Sequence, residues 1–161
     1  MEEIASAVGI RRPSLLYHFA SKDELYGAVV ERTFSKLALA LQAALGLGGD
    51  FRSRLDALTE GYLAFLRGEP HFAPLVLREF VDGRGPGRDL ILSNLVPVLD
   101  ALEAFLDAEG GELTRQELPW RAVILQLGVS PLLRAAAGPL REPLWGSGES
   151  LPAIARALIL R

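Results

Sequence analysis

Residues 1–26 read MEEIASAVGIRRPSLLYHFASKDELY, and this stretch decides the fold. Ile4, Val8, Ile10, Leu15 and Phe19 supply the apolar faces of two short helices, over 2–8 and 12–19. Ala5 is small enough for the second helix to cross closely, and Gly9 permits a left-handed bend between the two. Each feature alone is weak; together they spell a helix-turn-helix.

The second helix begins unusually. Arg11 and Arg12 stand at its tip, where a Ser, Thr or Asp cap is preferred and the macrodipole disfavours cations. Pro13 is tolerated there because the N–H groups of a first turn have no helical partner. Two cations in so unfavourable a place make sense if an anion neutralises them, and a phosphate backbone is such an anion. The plainer alternative is a pair of solvated surface arginines.

Working outward, Ser21 and Glu24 have the spacing of a capping box. It opens a helix to about Leu45, closed by Gly46, Gly48 and Gly49. Asp50 caps the next helix, over 50–67, whose Phe51, Leu55, Leu58, Tyr62 and Phe65 fall on one face. Further helices are expected over 70–82, 88–108 (bent at Pro97), 114–137 (opened by a Thr114/Glu117 capping box and bent at Pro131) and 150–161. The glycines and proline of 83–87 read as a turn, and Gly138 to Gly148 as a connector. The expectation is an all-α chain of eight helices with no sheet.

Composition removes several classes of function. Among 161 residues there is no Cys and there are two His, so disulfides, thiolate metal sites and thiol nucleophiles are excluded. No HExxH, GxSxG or Walker sequence occurs, and the turn at 83–87 lacks the preceding strand and GK[ST] ending of a phosphate loop. An enzyme is therefore not expected, nor any cofactor or metal. The acidic start, Met1-Glu2-Glu3, is unlike a signal peptide, and the apolar runs fall short of the roughly 20 residues a bilayer span needs. These readings give a cytoplasmic protein with no membrane partner. A net charge of −3 argues against nucleic-acid binding over the whole surface but leaves room for a local cationic patch.

The run from Glu3 to Tyr26 resembles the helix-turn-helix and following linker of TetR-family transcriptional regulators. The likeness rests on Pro13-Ser14-Leu15-Leu16-Tyr17-His18-Phe19 followed by Ser21-Lys22-Asp23-Glu24-Leu25. It implies that the second helix enters the major groove of a double-stranded DNA operator. Arg12, Pro13, Ser14, Leu16, Tyr17 and His18 match the positions that face DNA, and Tyr17 and Lys22 those that grip phosphates. Arg11 stands where the family has a small polar cap and is included with them. The resemblance divides the chain into a partial DNA-binding domain, 1–30, and a helical ligand-binding and dimerisation domain, 31–161.

Such domains begin with one more amphipathic helix than this sequence contains. Two explanations compete: a start upstream of Met1 (Met1 being internal, or the chain trimmed), or a natural truncation that senses a ligand without binding DNA. The first implies a regulator, a repressor released from its operator by a small lipophilic effector. The second implies a ligand-sensing or interaction dimer.

In the body, Tyr62, Phe65, Phe72, Phe80, Leu95, Leu99, Trp120 and Leu127 are candidate cavity residues. His71, Arg78, Glu79, Asn94 and Gln126 are possible polar anchors. For any one of them, ordinary core packing is the competing reading. The helices 114–137 and 150–161 are apolar on more than one face, through Val123, Ile124, Leu125, Leu127, Leu132 and Leu133, then Leu151, Ile154, Leu158, Ile159 and Leu160. They would pair with a second copy in a homodimer, or lie sandwiched within one subunit.

Overall fold

The computed structural model describes residues 1–82, 86–115, 117–148 and 150–161. Among them the chain is all-α, with nine helices and two 3₁₀ turns. These are α1 (Glu2–Ala7), α2 (Arg12–His18), α3 (Lys22–Leu45), α4 (Phe51–Gly68), α5 (Phe72–Asp82), α6 (Pro86–Glu109), α7 (Trp120–Ala136), α8 (Arg141–Trp145) and α9 (Leu151–Ile159). Most of the turn expected over 83–87 lies outside the described residues.

The core forms around α3, whose Val30, Phe34, Leu37, Leu41 and Ala44 are buried at intervals of three and four. The apolar stripe of α4 meets it with Phe51, Leu55, Leu58, Phe65 and Leu66. Each large apolar side chain removed from water contributes up to roughly 1.5–3 kcal/mol. Aromatic contacts fix the register. Phe34 and Phe65 both meet the Phe72 ring edge-on, at 5.2 and 4.9 Å, and Phe51 stacks on Phe105 at 5.3 Å. Helix α6 packs along α3, while α9 returns to lie on α4 and α7.

The helix starts follow local chemistry. Ser21 Oγ accepts from the Glu24 N–H at 3.1 Å, and the Glu24 carboxylate accepts from the Ala20 N–H at 2.7 Å, one residue before the cap itself. Asp50 Oδ1 accepts from the Ser53 N–H at 2.9 Å at the head of α4. Those hydrogen bonds hold the Asp50 carboxyl below its ordinary range. A depressed carboxyl contributes stability above its unfolded pKa and loses it as pH falls through its folded pKa. Asp50→Ala is therefore expected to lower the melting temperature at neutral pH and to make no difference in strong acid. Melting curves over an acid-to-neutral pH series check this.

Three expectations are corrected. The Thr114/Glu117 capping box does not form, and α7 starts at Trp120. Thr114 is buried instead in an isolated antiparallel bridge with Leu160, and its hydroxyl donates to the Gly111 carbonyl. Pro119 explains the late start, because the residue before a proline is pushed out of the α region and proline suits only the edge of a helix. The connector after α7 is not plain coil: a 3₁₀ turn, Gly138–Leu140, leads into α8. The last helix ends at Ile159 because Leu160 leaves it for the bridge, where Arg161 N–H donates to Leu113 O and Arg115 N–H to Ile159 O.

Candidate nucleic-acid interface and central cavity

Helices α1 and α2 form the tight pair that the sequence implies. Ala5 is 1% exposed at their crossing, and Gly9 takes φ +73° in the bend with open space around the position a Cβ would occupy. The Ile10 N–H donates back to the Ala5 carbonyl at 3.0 Å, closing the turn. Leu15 is the buried anchor of α2 and Phe19 is half-buried, whereas Ile4, Val8 and Ile10 are exposed. The apolar face of this pair is thus only partly covered within the chain.

All eight residues singled out for DNA, Arg11, Arg12, Pro13, Ser14, Leu16, Tyr17, His18 and Lys22, are exposed. Arg11 is the N-cap of α2 in extended conformation, Arg12 is its first residue, and Pro13 follows within the first turn. Arg12 has a loose partner in Glu2, 3.9 Å away with both side chains open to water. Pairs of this kind contribute little, so the guanidinium is free to exchange its partner. Tyr17, 86% exposed, sits edge-on to His18 at 5.3 Å. An exposed aromatic of that size has no structural work within the chain. Lys22 is the first residue of α3, directly after the Ser21 cap.

The body encloses a cavity of about 170 Å³ among α3, α4, α5, α6, α7 and α9. Tyr62, Phe72, Phe80, Leu95, Leu99 and Leu127 line it, together with residues not anticipated, among them Phe34, Leu58, Thr59, Val98, Leu102 and Ile124. Phe65 and Trp120 do not line it; Phe65 packs behind Phe72, and Trp120 lies against the core at the head of α7. The cavity reaches the surface where Phe80, Leu125 and Val129 are both lining and exposed.

None of the five anticipated polar anchors lines the cavity. His71 and Gln126 are exposed, Arg78 reaches Asp82, Glu79 accepts from Tyr26, and Asn94 donates to the Leu90 carbonyl. Among the described residues its polar side chains are Thr59 and Tyr62, and both are spent internally. Thr59 Oγ1 donates to Asp56 O at 2.8 Å, and Tyr62 Oη donates to Gly128 O at 2.9 Å. Burial pushes the Tyr62 phenol well above its ordinary pKa, so it remains a donor. Thr59 was legible only as a helix residue one position beyond the apolar stripe; nothing in the sequence sets it apart.

The exposed apolar side chains of the last helices are sorted by face. In α7, Leu125, Val129 and Leu133 are exposed at intervals of four, the first two at the mouth of the cavity, and Leu132 is buried. In α9, Ile154 and Leu158 are exposed while Leu151, Ala155 and Ile159 are buried.

Comparison with known proteins bears on the N-terminal segment. Residues 1–29 match the model of the bacterial regulatory proteins of the tetR family. Over 66 residues the chain is 41% identical to the HTH-type transcriptional activator FasR of Mycolicibacterium smegmatis (strain ATCC 700084 / mc(2)155), a match covering 41% of this chain and 30% of that protein. The chain thus aligns with less than a third of its relative's length. With a tight helix pair, an outward second helix and an all-α body behind them, the N-terminal segment of this chain is similar to that of the tetR family of bacterial regulatory proteins.

Proposed function

We propose that the chain is a DNA-binding transcriptional regulator, with residues 1–30 as the reading head and 31–161 as an effector-binding and dimerisation body. The observation that carries this is the exposure of all eight candidate contact residues, on a helix pair and the first residue of α3, in the segment that matches the family's N-terminal model. Arg11, Arg12, Tyr17 and Lys22 supply phosphate contacts, and Pro13, Ser14, Leu16 and His18 supply base-edge and sugar contacts. Two copies pairing through α7 and α9 would cover Leu125, Val129, Leu133, Ile154 and Leu158, and would set two heads at half-sites about one DNA turn apart.

The effector is a small lipophilic molecule. A cavity of roughly 150 Å³ with aliphatic and aromatic walls stays dry and accepts benzene, and the cavity here is of that size with both of its hydroxyls already donating within the protein. Repression relieved by that effector is what the family resemblance suggests, whereas the FasR relative is named an activator.

In vitro selection from random duplexes, followed by binding at increasing salt, tests the reading. A recovered palindromic site whose affinity falls steeply with salt is expected. Failure to enrich any duplex at low salt sinks DNA reading and leaves the ligand-sensing dimer. A reporter bearing the selected site gives the sign: repression if removing the protein raises transcription, activation if it lowers it.

A further inference from the structure

Helix α7 carries a glycine that neither its backbone nor its packing requires. Gly128 lies well inside the helix, where glycine is less stable than alanine because it loses more chain entropy on folding. Two structural needs commonly keep a glycine in such a place: a positive φ, or a neighbour so close that a Cβ has no room. Neither holds here. Gly128 is not among the glycines with positive φ, and among the described residues a Cβ built on it meets nothing within 4 Å. Two other helical glycines differ on this point. A Cβ at Gly27 would touch Leu90 at 3.7 Å, and one at Gly61 would touch the Ala40 carbonyl at 3.5 Å.

The open space beside Gly128 is the cavity. Ile124, Gly128 and Leu132 succeed one another at intervals of four along one stripe of α7, and all three line it. Leu125 and Leu127 line it from either side of that stripe, so a side chain at 128 would project into the void. At the same level the Tyr62 phenol donates to the Gly128 carbonyl at 2.9 Å and ties α4 to α7. That tie spans the walls and keeps them from closing over the missing side chain.

We propose that Gly128 is the specificity-determining residue of the cavity, and that the place left by its missing side chain takes an alkyl group of the effector. No free hydroxyl faces that place, since Tyr62 and Thr59 both donate within the protein. The proposal rests on the effector reading above and names the residue that sets which lipophilic molecules fit. Alanine at 128 would favour the helix and fill part of the void, so the native residue gives up stability for room.

The test uses the full chain and Gly128→Ala, with melting curves and with titration calorimetry against benzene, toluene and ethylbenzene. Without ligand, Gly128→Ala is expected to melt about 2–4 °C higher than the native chain, which also shows that it folds. Each carbon added to the ring should raise the native chain's affinity by about fourfold. In Gly128→Ala benzene should still bind, and the added carbons should gain nothing. Gly128→Val should weaken benzene binding itself by about tenfold or more. Three results overturn the proposal while leaving the effector reading intact. One is the same affinity series in Gly128→Ala as in the native chain. Another is a lower melting temperature for the empty variant, which would mean that position 128 is packed after all. The third is weaker self-association of Gly128→Ala in sedimentation with an unchanged series, which would give the glycine to contact between copies. A native chain that binds none of the three hydrocarbons removes the effector reading, and this proposal with it.

Discussion

Replacing Arg12 and Lys22 together by alanine is expected to weaken binding to a selected duplex by about 100-fold at low salt. The estimate follows from hydrogen bonds to charged groups, worth about 1.5–3 kcal/mol each, or roughly tenfold or more per contact. Both side chains are exposed, and Arg12 would exchange only its loose partner Glu2 for phosphate. The salt dependence is the sharper test. Each phosphate contact adds about 0.9 to the slope of log affinity against log salt, so the double variant should lose a slope of nearly 2. The fold-difference from the native chain should then shrink as salt rises. Arg67→Ala, an exposed arginine in the last turn of α4, removes a charge from the body and should leave the slope alone. Equal losses for Arg67 and for the head residues would mean that only net charge is being sensed. Fluorescence anisotropy across a salt series distinguishes the two.

The head was legible because its determinants are local. Ala5, Gly9, Leu15 and the Ser21–Glu24 clamp each act on near neighbours in sequence, and the structure uses them as the spacing implies, save that Glu24 takes the Ala20 N–H rather than that of Ser21. The α4 stripe was legible for the same reason. What escaped depends on partners far along the chain. Thr114 looked like a helix cap by spacing, but its neighbour is Leu160, and a pairing across that separation leaves no local trace. The cavity was half visible: helical periodicity separates an inward face from an outward one, yet core and cavity wall are equally apolar. Phe65 and Phe72 illustrate the limit. They share one aromatic cluster, and only Phe72 reaches the open space. The polar anchors were beyond reach, since Glu79 and Asn94 turned to partners outside the cavity that composition does not announce.

Phe34→Ala should have the largest effect on stability, about 3–5 kcal/mol. Phe34 is 2% exposed, meets Phe72 edge-on and stands in the wall of the cavity. Its ring touches α5 from α3, so removing it deletes both an aromatic pair and the contact that closes α3 against α5. The site cannot collapse to compensate, because it already borders empty space; the cavity grows instead, and the growth adds to the lost transfer energy. At about 2–4 °C per kcal/mol for a chain of this size, the melting temperature should fall by about 10 °C. The variant also separates two roles for this wall. If the cavity is a binding site, toluene should raise the melting temperature of the native chain, and raise that of Phe34→Ala further, since binding to the folded state alone stabilises it by mass action. If the void is only a packing defect opened to water through the gap beside Phe80, toluene will leave both melting temperatures where they were. Calorimetry with and without saturating toluene decides between these outcomes.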